Sequence, residues 1–155
     1  MIALPRAFYR CEGFKRLVSI NEKSWMHSLI LKKAHRGVHP PVVIRLHSEF
    51  EDWLGDMLLE SFPSFIITEE AKLKLEQIGF TGVLFDEVKI TMSETFRGLK
   101  ANRMLPQFVW LRLNGKAGRE DFGTAPNDTL VVSERALHAL EDLGIRNAIV
   151  APIGS

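Results

Sequence analysis

An internal repeat is the feature of this sequence that most restricts its fold. Residues 65–85 align without gaps onto residues 130–150, at a constant offset of 65. The identical positions are Glu69/Glu134, Ala71/Ala136, Leu75/Leu140, Glu76/Glu141 and Gly79/Gly144. A repeat of this length is one supersecondary unit, so the chain is predicted to contain that unit twice.

Each copy reads as a strand, a helix and a second strand. Three apolar residues predict a buried strand, and Thr68 or Ser133 follows with a hydroxyl that can cap a helix. The helix carries apolar residues at i, i+4 and i+7 and ends at a glycine suited to a left-handed C-cap. We expect burial of these stripe residues: Ala71, Leu75, Ile78, Ala136, Leu140 and Leu143. A helix of about ten residues must pack on its flanking strands to be stable.

These units predict the fold class. The 155 residues suffice for one hydrophobic core. We predict an α+β single domain over residues 1–155, with the duplicated strand-helix-strand unit (65–88 and 130–153) packed on a mixed or antiparallel sheet. The pattern also predicts a strand at 107–113, a loop at 118–129, an N-terminal hairpin of residues 8–11 and 14–20, and helices at 24–35 and 50–59.

Cysteine content and hydropathy bear on location. Cys11 is the only cysteine, which fits a reducing compartment better than a disulfide-rich secreted scaffold. The first residues lack a cationic segment followed by an apolar stretch, and no run of eighteen apolar residues occurs. We therefore expect a cytoplasmic protein that does not bind membranes.

No group of polar residues has the spacing of a known catalytic or metal-binding motif. His35 and His39 are four residues apart, but a glycine and a proline interrupt the helix that would aim both at one metal. Ser133 precedes an acidic residue, yet its counterpart Thr68 does so too, which indicates a duplicated helix start. Cys11 has no neighbour that would activate it. The prediction is therefore a protein that is not an enzyme, without catalytic residues, metal or cofactor.

Charge is distributed unevenly along the chain. Residues 1–48 carry a net charge of +7, residues 49–96 carry −8, and the remainder carries +2. Two interpretations stay open: the charges neutralise one another across the fold, or they form opposed patches that steer a charged partner. The basic first third also supports an alternative function, a nucleic-acid-binding or regulatory module. Its basic and aromatic residues are Arg6, Phe8, Tyr9, Arg10, Phe14, Lys15, Arg16, Trp25, Lys32, Lys33 and Arg36.

Two segments resemble a family of bacterial immunity proteins. Residues 52–54, 63–71 and 82–88 are similar to the core of immunity proteins from polymorphic toxin systems, of the immunity-eleven type, and residues 130–136 repeat that signature. Related immunity proteins carry a double CxxCG motif, which this chain lacks, so no metal-binding role is implied. The resemblance implies a protein that binds and neutralises a cognate toxin by occluding its active or substrate-binding surface. It implies no catalytic residue, and it makes the toxin the expected partner rather than a nucleic acid.

Four carboxylates are the candidate toxin-binding residues. On the predicted helix at 50–59, the acidic residues advance by three or four positions and would share one face: Glu49, Asp52, Asp56 and Glu60. An acidic face could imitate a phosphate backbone and steer a basic toxin. The other interpretation is the solvated outer face of an amphipathic helix.

Overall fold

The computed structural model describes residues 7–12, 18–20, 45–61, 64–99, 104–126, 128–145 and 148–153. Three helices and eleven strands lie within these residues. The strands are β1 (Phe8–Glu12), β2 (Val18–Ile20), β3 (Leu46–Phe50), β4 (Leu58–Ser61), β5 (Ser64–Thr68), β6 (Val83–Asp86), β7 (Val88–Met92), β8 (Phe108–Leu113), β9 (Phe122–Thr124), β10 (Leu130–Ser133) and β11 (Ile149–Pro152). The helices are α1 (Glu69–Ile78), α2 (Glu94–Leu99) and α3 (Glu134–Leu143). The predicted α+β class is confirmed.

The strands form three sheets. Sheet A has the order β11-β1-β10-β9 and sheet C the order β4-β5-β8-β6, and both are antiparallel throughout. Sheet B has the order β2-β3-β7, in which β3 and β7 run parallel. The sheet arrangement therefore divides the chain into two similar four-stranded sheets and one smaller mixed sheet.

The duplicated strand-helix-strand unit is confirmed, and strand pairing extends it. In sheet C the two strands of the first unit, β5 and β6, flank β8; in sheet A the two strands of the second unit, β10 and β11, flank β1. Thr68 pairs with Phe108 as Ser133 pairs with Phe8, and the offset of 65 holds through the second strands. Each sheet therefore has the same plan, although the middle strand follows the first unit in one and comes from the N-terminal side in the other.

The two long helices, α1 and α3, begin and end where their sequences predict. The hydroxyl of Thr68 accepts a hydrogen bond from the Ala71 amide, and the hydroxyl of Ser133 accepts one from the Ala136 amide. Each helix ends at a left-handed glycine, and the Gly79 amide donates to the Leu75 carbonyl. The caps satisfy amide and carbonyl groups that a helix end otherwise leaves unpaired.

One side of sheet C shares a core with sheet A and both long helices. We call this cluster the repeat core; its buried members are Cys11, Leu58, Phe65, Ile67, Ala71, Leu75, Leu111, Phe122, Leu130, Val132, Ala136, Leu137 and Leu140. The other side of sheet C packs on sheet B and α2 through Leu46, Phe50, Leu59, Ile66, Phe96, Phe108 and Trp110. Sheet C is thus covered on both faces.

The predicted burial of the helix stripes is right at four positions and wrong at one. Ala71, Leu75, Ala136 and Leu140 are buried. Leu143 is half-buried against the repeat core, whereas Ile78 is 51% exposed. Ile78 lies about 60° around the helix from Leu75, in the last turn of α1. That turn carries its side chain away from the repeat core and into solvent.

The predicted helix at 50–59 is absent. Residues 51–57 form an irregular connection between β3 and β4, and Gly55 within it has a left-handed φ of 98°. Leu58 and Leu59 are both buried, one on each face of sheet C, which is the pattern of a strand covered on both sides. The apolar spacing that predicted a helix therefore belongs to a loop and a strand.

Several other elements differ from prediction. β1 and β2 do not pair with each other, since β1 lies in sheet A and β2 in sheet B. The predicted loop at 118–129 contains β9, and the predicted second strand of the first unit divides at Glu87 into β6 and β7. The predicted helix at 24–35 lies outside the described residues. Pairing between distant strands decides the placement of β1, β2, β7 and β9, and local sequence pattern does not report it.

Candidate protein-binding surface

The four predicted toxin-binding carboxylates do not share a helical face. Glu49 lies in β3 and Glu60 in β4, while Asp52 and Asp56 lie in the connection between these strands. Asp52 accepts a hydrogen bond from the amide of Trp53, and Asp56 is only 3% exposed. Reversing the charge of Asp56 would therefore perturb folding. The prediction of a helix that groups these four residues is wrong, and their role in binding a toxin stays a prediction.

The sequence did not point to Asp121, whose buried carboxylate joins the two repeat units. Its oxygens accept hydrogen bonds from the Thr81 amide at 3.1 Å, the Ser133 hydroxyl at 2.7 Å and Arg135 Nε at 2.9 Å. Thr81 follows α1 of the first unit, whereas Ser133 and Arg135 belong to the second. The cluster therefore ties the end of one helix to the start of the other.

The environment of Asp121 keeps its carboxyl group ionised. The hydrogen bonds from Arg135 hold the pKa of Asp121 well below its usual range, and the bonds from Ser133 and Thr81 add to this effect against the opposing cost of burial. Arg135 also lies over the Phe80 ring, 4.7 Å from its centroid. The partners of this carboxylate are Thr81, Ser133 and Arg135, which belong to the two repeat units. Asp121 and Arg135 therefore form an ion pair that holds the two units together.

Aligning the two units at an offset of 64 matches Asp121 with a residue of the first unit. Met57 holds the place of Asp121 in the first unit: the Thr68 hydroxyl donates to the Met57 sulfur as the Ser133 hydroxyl donates to Asp121. The strand that precedes β5 or β10, which is β4 or β9, is one residue out of register with the repeat, because Leu58 pairs with Ile67 as Phe122 pairs with Val132. An ungapped alignment at 65 misses the correspondence.

Cys11 is a core residue of the middle strand of sheet A. It is 1% exposed and belongs to the repeat core. Burial, with a smaller contribution from the negative charge of Glu141, raises the pKa of the Cys11 thiol to about 11. The thiol is therefore protonated at neutral pH and unreactive, as the sequence predicts.

A groove lined by both polar and apolar groups lies between α1 and the edge strand β6. It has a volume of about 360 Å³, and its lining comprises Lys72, Leu75, Glu76, Gly79, Phe80, Val83, Leu84 and Phe85. Leu75 forms its floor within the repeat core, while Leu84 is 53% exposed. Because consecutive β6 residues line it, the groove follows the outer edge of this strand.

The charges around the groove leave an acidic excess. Lys72 pairs with Glu69 at 3.2 Å, and Arg112 pairs with Asp86 at 3.1 Å. Glu76, on the groove wall, and Glu87, directly after β6, are exposed and form no ion pair with any residue in the described part of the chain. The groove therefore presents exposed apolar side chains beside two carboxylates that no described cation neutralises.

Only three residues of the predicted nucleic-acid patch lie within the described part of the chain. Phe8, Tyr9 and Arg10 occupy β1, and Tyr9 packs against the repeat core. Tyr9 is therefore engaged in packing, and stacking on a base would require it to leave that core. The other residues of the patch lie outside the described ranges, and the alternative function stays a prediction.

Comparison with models of known protein families finds no match, and comparison with curated proteins finds no significantly similar sequence. The resemblance to immunity proteins therefore stays a prediction. Within the described residues, no three His, Cys, Asp or Glu side chains are grouped so as to hold a metal ion. None of the described helices has the length and apolar character needed to cross a bilayer.

Proposed function

We propose that this chain is an immunity protein that binds and neutralises a cognate toxin in the cytoplasm, and that the toxin docks on the groove between α1 and β6. The observation that carries the proposal is the groove itself, which combines exposed apolar surface with unpaired acidic groups. Protein interfaces commonly have an apolar centre that supplies most of the affinity and a polar rim. Leu84 belongs to such a centre, and Glu76 and Glu87 belong to the rim.

The acidic rim defines the kind of toxin that fits. A toxin that acts on nucleic acid needs a basic surface to hold phosphate groups. The carboxylates of Glu76 and Glu87 complement such a surface and would accelerate encounter with it. A protein seated on the groove would then cover the basic surface on which the toxin holds its substrate.

The first experiment asks whether a cognate toxin exists. The probe is the toxin-domain protein encoded directly upstream of this chain. We expect co-expression of this chain to restore growth of cells that produce the probe, and titration calorimetry to give nanomolar binding. The absence of a neighbouring toxin gene together with failure to restore growth would refute the function.

A second experiment locates the surface with a control supplied by the repeat. Ile149 holds the place of Leu84 in the second unit and is 65% exposed. Leu84→Asp should weaken binding of the toxin probe by about tenfold or more, because it puts a charge in the apolar centre. Ile149→Asp should leave the dissociation constant unchanged. The opposite ranking would move the docking surface to sheet A.

The charge argument has its own matched pair. Glu141 corresponds to Glu76 in the repeat, so Glu141→Lys changes the net charge of the protein as Glu76→Lys does. We expect Glu76→Lys to slow association more than Glu141→Lys at low salt, with the difference shrinking as salt is added. Equal association rates would show that net charge alone acts.

A further inference from the structure

We propose that the toxin segment in the groove is an extended strand that pairs with the outer edge of β6 and adds a fifth strand to sheet C. This inference rests on the proposed function and specifies how the partner binds. Strand addition obtains its affinity from main-chain hydrogen bonds and its specificity from the pockets that receive alternate side chains. The structure supplies the edge, the pocket and the charges.

Alternate residues of β6 direct their backbone amide and carbonyl groups away from the neighbouring strand, β8. The Asn114 amide donates to the Gly82 carbonyl at 3.1 Å. Hydrogen-bonded pairs alternate with non-bonded pairs along antiparallel strands, so Leu84, paired with Arg112, also exchanges bonds with β8. The amide and carbonyl groups of Val83 and Phe85 therefore point away from β8, towards the groove.

The equivalent edge of the second unit is closed by a proline. The Ile153 amide donates to the Phe8 carbonyl at 2.9 Å, which by the same alternation turns Pro152 outward. Proline has no amide hydrogen, and proteins use it to prevent strand addition at sheet edges. The residue that corresponds to Pro152 at the offset of 65 is Glu87. The two units thus share a plan, but only the β11 edge carries this block.

The groove fits a basic segment with apolar side chains. One face of an added strand would lie towards α1, where Phe80 and Glu76 line the groove. Its end would lie beside Glu87, which follows β6. An extended toxin segment that alternates apolar residues with lysine or arginine would place the apolar chains on Phe80 and pair the basic chains with the two carboxylates.

Hydrogen exchange of single amides tests the added strand. In the free protein the Val83 and Phe85 amides should exchange quickly, while the Leu84 amide, bonded to β8, should be slow. Saturation with the upstream-encoded toxin domain should slow exchange at Val83 and Phe85 by about a hundredfold or more. If the toxin binds without protecting these amides, strand addition is refuted and the proposed function stands. If no complex forms, the proposed function fails instead.

A substitution taken from the repeat provides a second measurement. Glu87→Pro removes the outward amide at the end of β6, as Pro152 does in β11. Glu87→Gln removes the same charge but keeps this amide, which in the free protein donates to the Asp86 carboxylate at 2.8 Å. We expect the proline variant to bind the toxin domain about tenfold more weakly than the glutamine variant, and thermal unfolding of both variants checks that loss of the bond to Asp86 leaves the fold intact. Equal affinities would contradict the inference. Protection of Val83 and Phe85 that rises with protein concentration and without toxin would instead assign the edge to a second copy of this chain.

Discussion

At the scale of single residues, Asp121 and Met57 show how one fold position can take two chemistries. Each receives a hydrogen bond from the hydroxyl that caps the following helix. Methionine fits an apolar surrounding, whereas a buried carboxylate requires donors and a cation. Thr81, Ser133 and Arg135 supply them. Asp121 thereby bonds to Thr81 of the first unit, whereas Met57, its counterpart, has no carboxylate with which to form an equivalent bond.

Removing either partner of the ion pair should have unequal effects. Arg135→Met leaves the Asp121 carboxylate buried without a cation, and we expect a loss of about 2–4 kcal/mol in the free energy of unfolding. Asp121→Asn leaves Arg135, whose side chain is 47% exposed, to be solvated by water, so the loss should be about 1–2 kcal/mol. Urea unfolding of both variants at pH 7 measures the difference. Equal losses would contradict the asymmetry.

The same pair makes stability depend on pH in a defined direction. The pKa of Asp121 is lowered in the folded protein, so its contribution is present above the unfolded value of about 4 and is lost as the pH falls below it. Arg135→Met raises that pKa, so its deficit relative to the parent protein should shrink between pH 7 and pH 3. The deficit of Asp121→Asn should shrink as well, because the parent loses the contribution of its carboxylate.

At the scale of elements, the sequence predicts correctly those features that depend on neighbouring residues, such as helix ends. Thr68, Ser133, Gly79 and Gly144 act as caps because hydrogen bonds within a few residues determine where a helix begins and ends. The spacing of residues 50–59 predicts a helix wrongly, because helical and strand spacing coincide over a short apolar run. The contacts of Asp121 and the edge position of β6 were not predictable, since both depend on pairing between residues far apart in the chain.

The two long helices should respond alike to truncation of their central leucine. Leu75 and Leu140 hold corresponding places and are each 1% exposed, so alanine at either should lower the free energy of unfolding by about 2–5 kcal/mol. Ile78→Ala, in the exposed last turn of α1, serves as the control and should change stability by about 0.5 kcal/mol or less. Chemical denaturation measures all three. A loss below about 1 kcal/mol at Leu75 or Leu140 would contradict their placement in the repeat core.

At the scale of the whole molecule, sheet A brings together distant parts of the sequence. β1 lies between β10 and β11, so its neighbours are more than a hundred residues away. Gly82 and Gly115 join the halves in another way, since a Cβ at either would lie within 2.2 Å of the Phe122 carbonyl oxygen. The two units consequently form one body whose unfolding should be cooperative.

The Cys11 thiol reports on release of β1. Because it is buried and its pKa is raised, native protein should react slowly with a thiol reagent at pH 8, and labelling should require β1 to leave the sheet. Ala151→Pro removes an amide directed at β1 and should speed labelling by about tenfold. Val150→Pro alters an outward amide and is the control. Equal rates for the two variants would contradict the hydrogen-bonding alternation along β11.

The place of β1 also sets an order of events on the ribosome. Strands β4, β5, β6 and β8 all lie between residues 58 and 113, so sheet C can assemble once that stretch has emerged. β1 is made earlier than any of them, but β10 and β11 follow more than a hundred residues later, roughly 10 s at ordinary translation rates. Until β10 and β11 are made, the backbone of β1 lacks its pairing partners and the Cys11 thiol lacks the side chains of the second unit that bury it, whereas every strand of sheet C has been made by residue 113.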